Sequence, residues 1–221
     1  MPVRHCVLIP AYNEKECIEQ VVKACLAHCP RVLVVDDASQ DDTAVRASDA
    51  GAIVLRHSTN AGKGAALATG LRYLHDTRVQ GIVTLDGDGQ HDPDELPRFF
   101  KRADKGDVDI IVGSRMENTK GMPLIHLLVN RATSRVVSVL SGQLVTDSQS
   151  GYRWIGKGVW ERLGVAGERF DAETELLINA GHRGFRIAEI PIPTIYRDEE
   201  SQLHPLWDTL RFLKLTSRHI L

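Results

Sequence analysis

The sequence has no long uncharged apolar run, almost no net charge and few cysteines, and each shortage excludes a class of protein. Nothing approaches the ~18 consecutive apolar residues of a bilayer-spanning helix. The nearest stretch, Gly121 to Asn130, is short and contains His126, so the chain is not expected to cross a membrane by itself. The start, Met1-Pro2-Val3-Arg4-His5-Cys6, leads straight into a strand-like run and lacks the apolar segment and small-residue cleavage site of a signal peptide; a cytoplasmic protein is expected. The 27 Lys and Arg stand against 29 Asp and Glu, leaving a formal net charge of −2. That balance provides no global attraction to nucleic-acid phosphates, and nucleic acid is not an expected partner. The four cysteines, Cys6, Cys17, Cys25 and Cys29, have no second pair downstream and read as reduced, partly buried thiols, not as a zinc site or disulfide framework.

What is present is the composition of an ordinary globular domain: 221 residues, 43% hydrophobic and 25% charged. Short apolar runs at His5 to Pro10, Arg31 to Val35, Ala52 to Arg56, Gly81 to Leu85 and Asp109 to Gly113 alternate with segments of helical periodicity, roughly Glu14 to His28, Asp41 to Ala50, Ala61 to Asp76 and Asp94 to Lys105. Runs apolar on both faces suit a mostly parallel sheet covered by helices, an α/β fold. Beyond Arg115 the pattern predicts a long helix from about Met122 to Leu140, a polar loop to Ser150, a short helix near Trp160, a helix from Ala172 to Arg183 and a strand near Phe185 to Ile190, all in the same domain.

In open α/β sheets ligands collect beyond the carboxyl ends of the strands. Those ends carry Pro10-Ala11-Tyr12-Asn13-Glu14, Asp36-Asp37-Ala38-Ser39, His57 to Lys63 and Asp86-Gly87-Asp88-Gly89-Gln90-His91. Singly, each has a structural explanation: Asn13 and Ser39 as helix caps, Asn60 to Gly64 as a strand-to-helix turn, and the aspartate pair as an acidic turn capping the helix after Pro93. Asp86 and Asp88 are two carboxylates one glycine apart at the exit of a buried strand, and they repel unless a cation lies between them. A hard divalent ion, Mg2+ or Mn2+, answers that conflict and keeps open positions for substrate phosphates. Gln90 is a further ligand candidate, Gly87 permits close backbone approach, and Arg115 supplies a guanidinium for phosphate oxygens at the fifth strand end.

Seven ordered motifs resemble the family 2 glycosyltransferases of GT-A fold, and within them the branch similar to dolichyl-phosphate mannose synthase and bacterial polyprenyl-phosphate sugar transferases. To the four clusters already named they add Gly113-Ser114-Arg115, Asp147-Ser148-Gln149-Ser150-Gly151-Tyr152-Arg153 and Glu189-Ile190-Pro191. The resemblance implies one GT-A domain over residues 1–204, and the spacing of Leu206, Leu210 and Leu213 beside Arg211, Lys214 and Arg218 predicts an amphipathic helix over 205–221. It implies that Pro10, Tyr12, Glu14, Val35 and Asp37 hold the base and ribose of a nucleotide-diphosphate sugar, with Asp37 accepting from the base. Asp86, Gly87, Asp88 and Gln90 look like the metal and diphosphate site, with Lys63 beside it, and Arg115 looks like the arginine that meets the phosphates or the acceptor. Arg131 faces either the same cleft or solvent.

The activity implied is an inverting transfer through an oxocarbenium-like transition state. The expected acceptor is a polyprenyl or dolichyl phosphate, which is anionic at neutral pH and needs no base. A hydroxyl acceptor is the alternative, with Asp147, Glu173 and Glu175 as candidate bases. A haloacid-dehalogenase-like phosphatase and a non-catalytic nucleotide-sugar binding module rank below both. Where the related synthases carry an arginine and then Ser-Lys over the donor phosphates, this chain reads Tyr196 to Pro205, with Ser201 kept and Gln202 in the lysine's place. Arg197 or His204 would supply the positive charge. The basic face of Leu206 to Leu221 suits either a membrane surface or the domain's own core, and peripheral contact with the inner membrane face or a small membrane subunit is the partner expected there.

Overall fold

The computed structural model describes residues 4–117, 119, 122–163 and 171–193. The expectations for Arg197, Ser201, His204 and the terminal helix over 205–221 lie outside these residues.

The first four apolar runs form parallel strands: β1 (His5–Ala11), β2 (Val32–Asp36), β3 (Ile53–Arg56) and β4 (Gly81–Thr84), with β1 paired to both β2 and β4. Helices α1 (Ile18–His28), α2 (Thr43–Asp49), α3 (Lys63–Leu74) and α4 (Leu96–Ala103) connect them and lead to β5 (Ile110–Ser114). The second half adds α5 (Leu124–Ser141), β6 (Arg153–Gly156), α6 (Lys157–Leu163), α7 (Asp171–His182) and β7 (Ile187–Pro191). The sheet runs β3-β2-β1-β4-β6-β5-β7, and β6 alone is antiparallel to its neighbours.

Alternation along each strand divides the core between the two faces. Leu8 and Leu33 join Leu67, Leu71, Val137 and Leu177 on one side, while Val7, Ile9 and Val34 join Ile18, Val22, Leu96 and Phe99 on the other. Both faces are covered, as runs without polar alternation require.

Two local departures from the sequence reading bear on the site. Helix α1 starts at Ile18, not Glu14, because Asn13 adopts φ +58° and the backbone N–H groups of Asn13 and Glu14 donate to Ser39 Oγ (2.9 Å) and Thr43 Oγ1 (2.8 Å). Asn13 Oδ1 in return accepts from the Gln40 N–H. Asn13 and Ser39 therefore tie two loops together instead of capping helices. The second departure is β6, which the sequence reading passes over. Its first residue is arginine and it is only four residues long, so no period is visible in it.

Candidate active site

Strands β1 to β4 all point one way, so their carboxyl ends share one edge of the sheet. Tyr12 stands exposed there and Glu14 is half-buried, whereas Pro10 is buried and the Val35 side chain packs in the core, leaving backbone as what Val35 offers a ligand. Ala38, like Asn13, holds a left-handed φ (+63°), a conformation that costs energy in a non-glycine residue and tends to occur where function requires it. The Asp37 carboxylate is buried and accepts from the N–H groups of Ala61 (2.9 Å) and Gly62 (2.6 Å), with His57 Nδ1 at 2.6 Å. It pins the loop between β3 and α3, the loop that delivers Lys63.

Lys63 reaches Asp86, with Nζ 2.6 Å from Oδ1, while His91 Nε2 lies 3.6 Å from the other carboxylate oxygen. Burial works against the charge on Asp86, but the Lys63 ammonium and His91 outweigh it and hold the carboxyl well below its usual range. Burial likewise opposes the charge on Lys63, and Asp86 and Glu173 more than restore it. Asp88 goes the other way: burial, then the neighbouring Asp86 charge, raises its pKa, although its Oδ1 accepts from the Gln90 N–H at 2.9 Å. Beneath them Tyr152 stacks on Phe99 and lies 5.1 Å from the His91 ring, and its hydroxyl donates to the Asp92 carbonyl. Gly151 packs closely against the pair: a Cβ there would lie 2.7 Å from Asp86 Oδ2 and 2.9 Å from Lys63 Nζ, so those side chains would have to shift.

Among the described residues no three His, Cys, Asp or Glu side chains converge to hold a metal unaided. The two aspartates nevertheless fit the sparser mode of Mg2+ and Mn2+, in which one or two carboxylates share the ion with water and substrate phosphates. Burial first, and the Asp86 charge second, make the ionised form of Asp88 costly, a cost that such an ion would relieve.

On the far side of β4, Arg115 follows β5. Its N–H, Nε and Nη2 donate to Asp147 at 3.0, 2.7 and 2.8 Å, and Asn130 Nδ2 of α5 donates to the same carboxylate at 2.7 Å. Asp147 has no accessible surface; burial pushes its pKa up, but Arg115 and Asn130 bring it below the ordinary value. Glu189 on β7 supports the same loop, accepting from the Thr146 N–H (2.7 Å) and hydroxyl (2.7 Å) and from the Asp147 N–H (3.3 Å). The fully buried Arg153 donates to the carbonyls of Ser148, Ser150 and Glu173. Arg131 is exposed and lines a groove with Met116 and Thr146, next to Arg115 and Asp147, and is not in the Asp86 cluster. Sequence reasoning did not find Asn130, the partner of Asp147. The available signal was the mostly polar stripe Asn130, Thr133, Ser134, Val137 and Ser141 at helical spacing, which α5 buries, and Asn130 and Ser134 do bond at 2.9 Å.

The model of the family described as Glycosyl transferase family 2 matches residues 6–162, more than half of the chain. The chain belongs to that family. Among its family 2 relatives, the UDP-N-acetylglucosamine–dolichyl-phosphate N-acetylglucosaminyltransferase of Methanococcus voltae is 32% identical over 215 residues, covering 87% of this chain and 86% of that one. The polyprenol monophosphomannose synthase of Mycolicibacterium smegmatis is 30% identical over 209 residues, covering 88% and 78%. Of solved structures, glucosyl-3-phosphoglycerate synthase from Mycobacterium tuberculosis in complex with uridine diphosphate superposes with a TM-score of 0.77 over 96% of this chain and 80% of that one, at 21% identity. A second structure of that synthase holds Mn2+ with uridine diphosphate, at a TM-score of 0.72. This family 2 enzyme therefore has the GT-A fold that its sequence resembles, a mostly parallel sheet in a single α/β domain.

Proposed function

We propose that the chain transfers a sugar, with inversion, from a nucleotide-diphosphate sugar to a polyprenyl phosphate, using Mg2+ or Mn2+ held by Asp86 and Asp88. The observation that carries the choice of acceptor is the commitment of Asp147. The carboxylate nearest Arg115 is buried and saturated with hydrogen bonds, which makes it a clamp for a cation and a poor general base. Glu173 is largely enclosed and engages Lys63 through Oε2 at 3.1 Å. An acceptor that arrives already ionised requires only a cation to guide it. The names of the two relatives above support the same class of acceptor.

In this reading Tyr12, Glu14 and the loop pinned by Asp37 hold the nucleoside, and Lys63 flanks the diphosphate. Arg115, oriented by Asp147, aligns an acceptor phosphate oxygen behind the anomeric carbon. That oxygen forms the new bond as the bond to the diphosphate breaks, and the nucleoside diphosphate leaves with the electron pair. A divalent ion held by Asp86 and Asp88 would neutralise charge on the leaving group. Gln90 contributes through its backbone N–H, which orients Asp88.

Peripheral contact with a membrane belongs to the same proposal. Leu124, Ile125 and Leu128 are exposed on the first turns of α5, beside Arg131. Among the described residues no helix is long and apolar enough to cross a bilayer.

The test is transfer of label from a panel of nucleotide sugars to a short-chain polyprenyl phosphate or to the matching polyprenol. Label in the lipid phase with the phosphate alone supports the proposal, and equal transfer to the alcohol refutes it.

A further inference from the structure

Lys63 has two carboxylate partners, and they come from different parts of the fold. Its ammonium lies 2.6 Å from Asp86, after β4, and 3.1 Å from Glu173 Oε2, in the first turn of α7. The three side chains are largely enclosed, at 16% exposure for Lys63, 29% for Asp86 and 12% for Glu173. The second oxygen of Glu173, Oε1, is buried and has no hydrogen-bond partner among the described residues. A buried carboxylate oxygen left without a donor is costly and calls for an explanation.

Charge supplies one. Asp86, Asp88 and Glu173 bring three carboxylates to this enclosure against the Lys63 ammonium and the buried Arg153 guanidinium, so negative charge is left in excess and a cation offsets it. Before that cation arrives, the lysine occupies a carboxylate that the cation needs. The bare backbone of Gly151 closes the space beside Asp86 and Lys63, where a Cβ would clash with both, so the ammonium has Glu173 as its near alternative.

We propose that Lys63 is the resident counter-ion of Asp86 in the metal-free protein, and that Glu173 is a positioning residue which receives Lys63 when a divalent cation binds at Asp86 and Asp88. The inference rests on the reading of those two aspartates as metal ligands. Lys63 thus lowers metal affinity, Glu173 restores it, and Glu173 acts only through Lys63.

The experiment titrates Mn2+ alone into the full chain and reads free Mn2+ by electron paramagnetic resonance. The proteins are wild type, Lys63→Gln, Glu173→Gln and the double variant, each checked for a cooperative thermal melt. Lys63→Gln is expected to tighten Mn2+ by ~5-fold or more and Glu173→Gln to weaken it by ~3-fold or more, with less than ~1.5-fold further effect of Glu173→Gln in the Lys63→Gln background. Unchanged or weaker binding in Lys63→Gln overturns the proposal. So does an equal factor for Glu173→Gln in both backgrounds, which is what a bare field effect gives. If Lys63→Gln does not fold, Glu173→Gln decides alone, and unchanged or tighter binding there overturns the proposal. Wild-type protein that binds no Mn2+ even with uridine diphosphate present contradicts the metal reading itself, whereas wild-type binding unaltered by Lys63→Gln contradicts this inference alone.

Discussion

Asp147 and Arg115 form a pair whose carboxylate half is wholly out of water, and breaking such a pair leaves a buried charge uncompensated. Asp147→Asn is expected to cost about 3 kcal/mol of unfolding free energy at pH 7 in urea titrations. Because the carboxyl is held below its ordinary value, its contribution is fully present above the unfolded pKa of ~3.9 and is lost as pH falls through the lower folded value. The gap between wild type and Asp147→Asn should therefore be constant from neutral pH to about 4 and close below it. Kinetically the same variant should raise the KM for acceptor while leaving donor binding near its wild-type value, since it frees the guanidinium and touches nothing at the donor end. Gly151→Ala makes the complementary test. Its methyl group would push Asp86, the proposed metal ligand, off its position, so donor turnover should fall by ~10-fold or more with a change in melting temperature of only a few degrees.

At the level of elements, legibility followed periodicity. Strands β1 to β5 and the helices between them carry unbroken apolar runs or helical spacing, and each lies within a few residues of where the pattern puts it. What failed to show was anything whose logic is tertiary. Strand β6 opens on Arg153, which looks like loop chemistry until its guanidinium is seen holding three carbonyls of the 148–150 loop and the start of α7. The site divided along the same line. Asp86, Asp88 and Arg115 were visible because carboxylates and a guanidinium at strand ends have no easy apolar excuse, whereas the pairing of Lys63 with Glu173 spans 110 residues and leaves no local trace. Arg153→Leu is expected to cost at least ~3 kcal/mol, since each buried carbonyl left unpaired costs ~1–3 kcal/mol. Loss of Arg115-dependent activity should accompany it, through the loosened loop that carries Asp147; urea unfolding and transfer rate check the two effects.

At the scale of the whole molecule, the proposed donor end lies over β1 to β4 and the proposed acceptor end over β5 and α5, all on one open sheet. The exposed leucines of α5 stand at the acceptor end, so Leu128→Asp should reduce co-sedimentation with anionic vesicles while leaving nucleotide binding unchanged. That division also isolates the central claim, which is that Asp86 and Asp88 anchor a metal-bound nucleoside diphosphate. Its most direct test is calorimetric titration of uridine and guanosine diphosphates into wild type and Asp88→Asn, with and without Mn2+. One diphosphate should bind the wild type at least ~10-fold more tightly with Mn2+ than without, an advantage of about 1.4 kcal/mol, and Asp88→Asn should abolish that difference. Binding that ignores Mn2+ in the wild type, or a Mn2+ effect that survives in Asp88→Asn, would contradict the account.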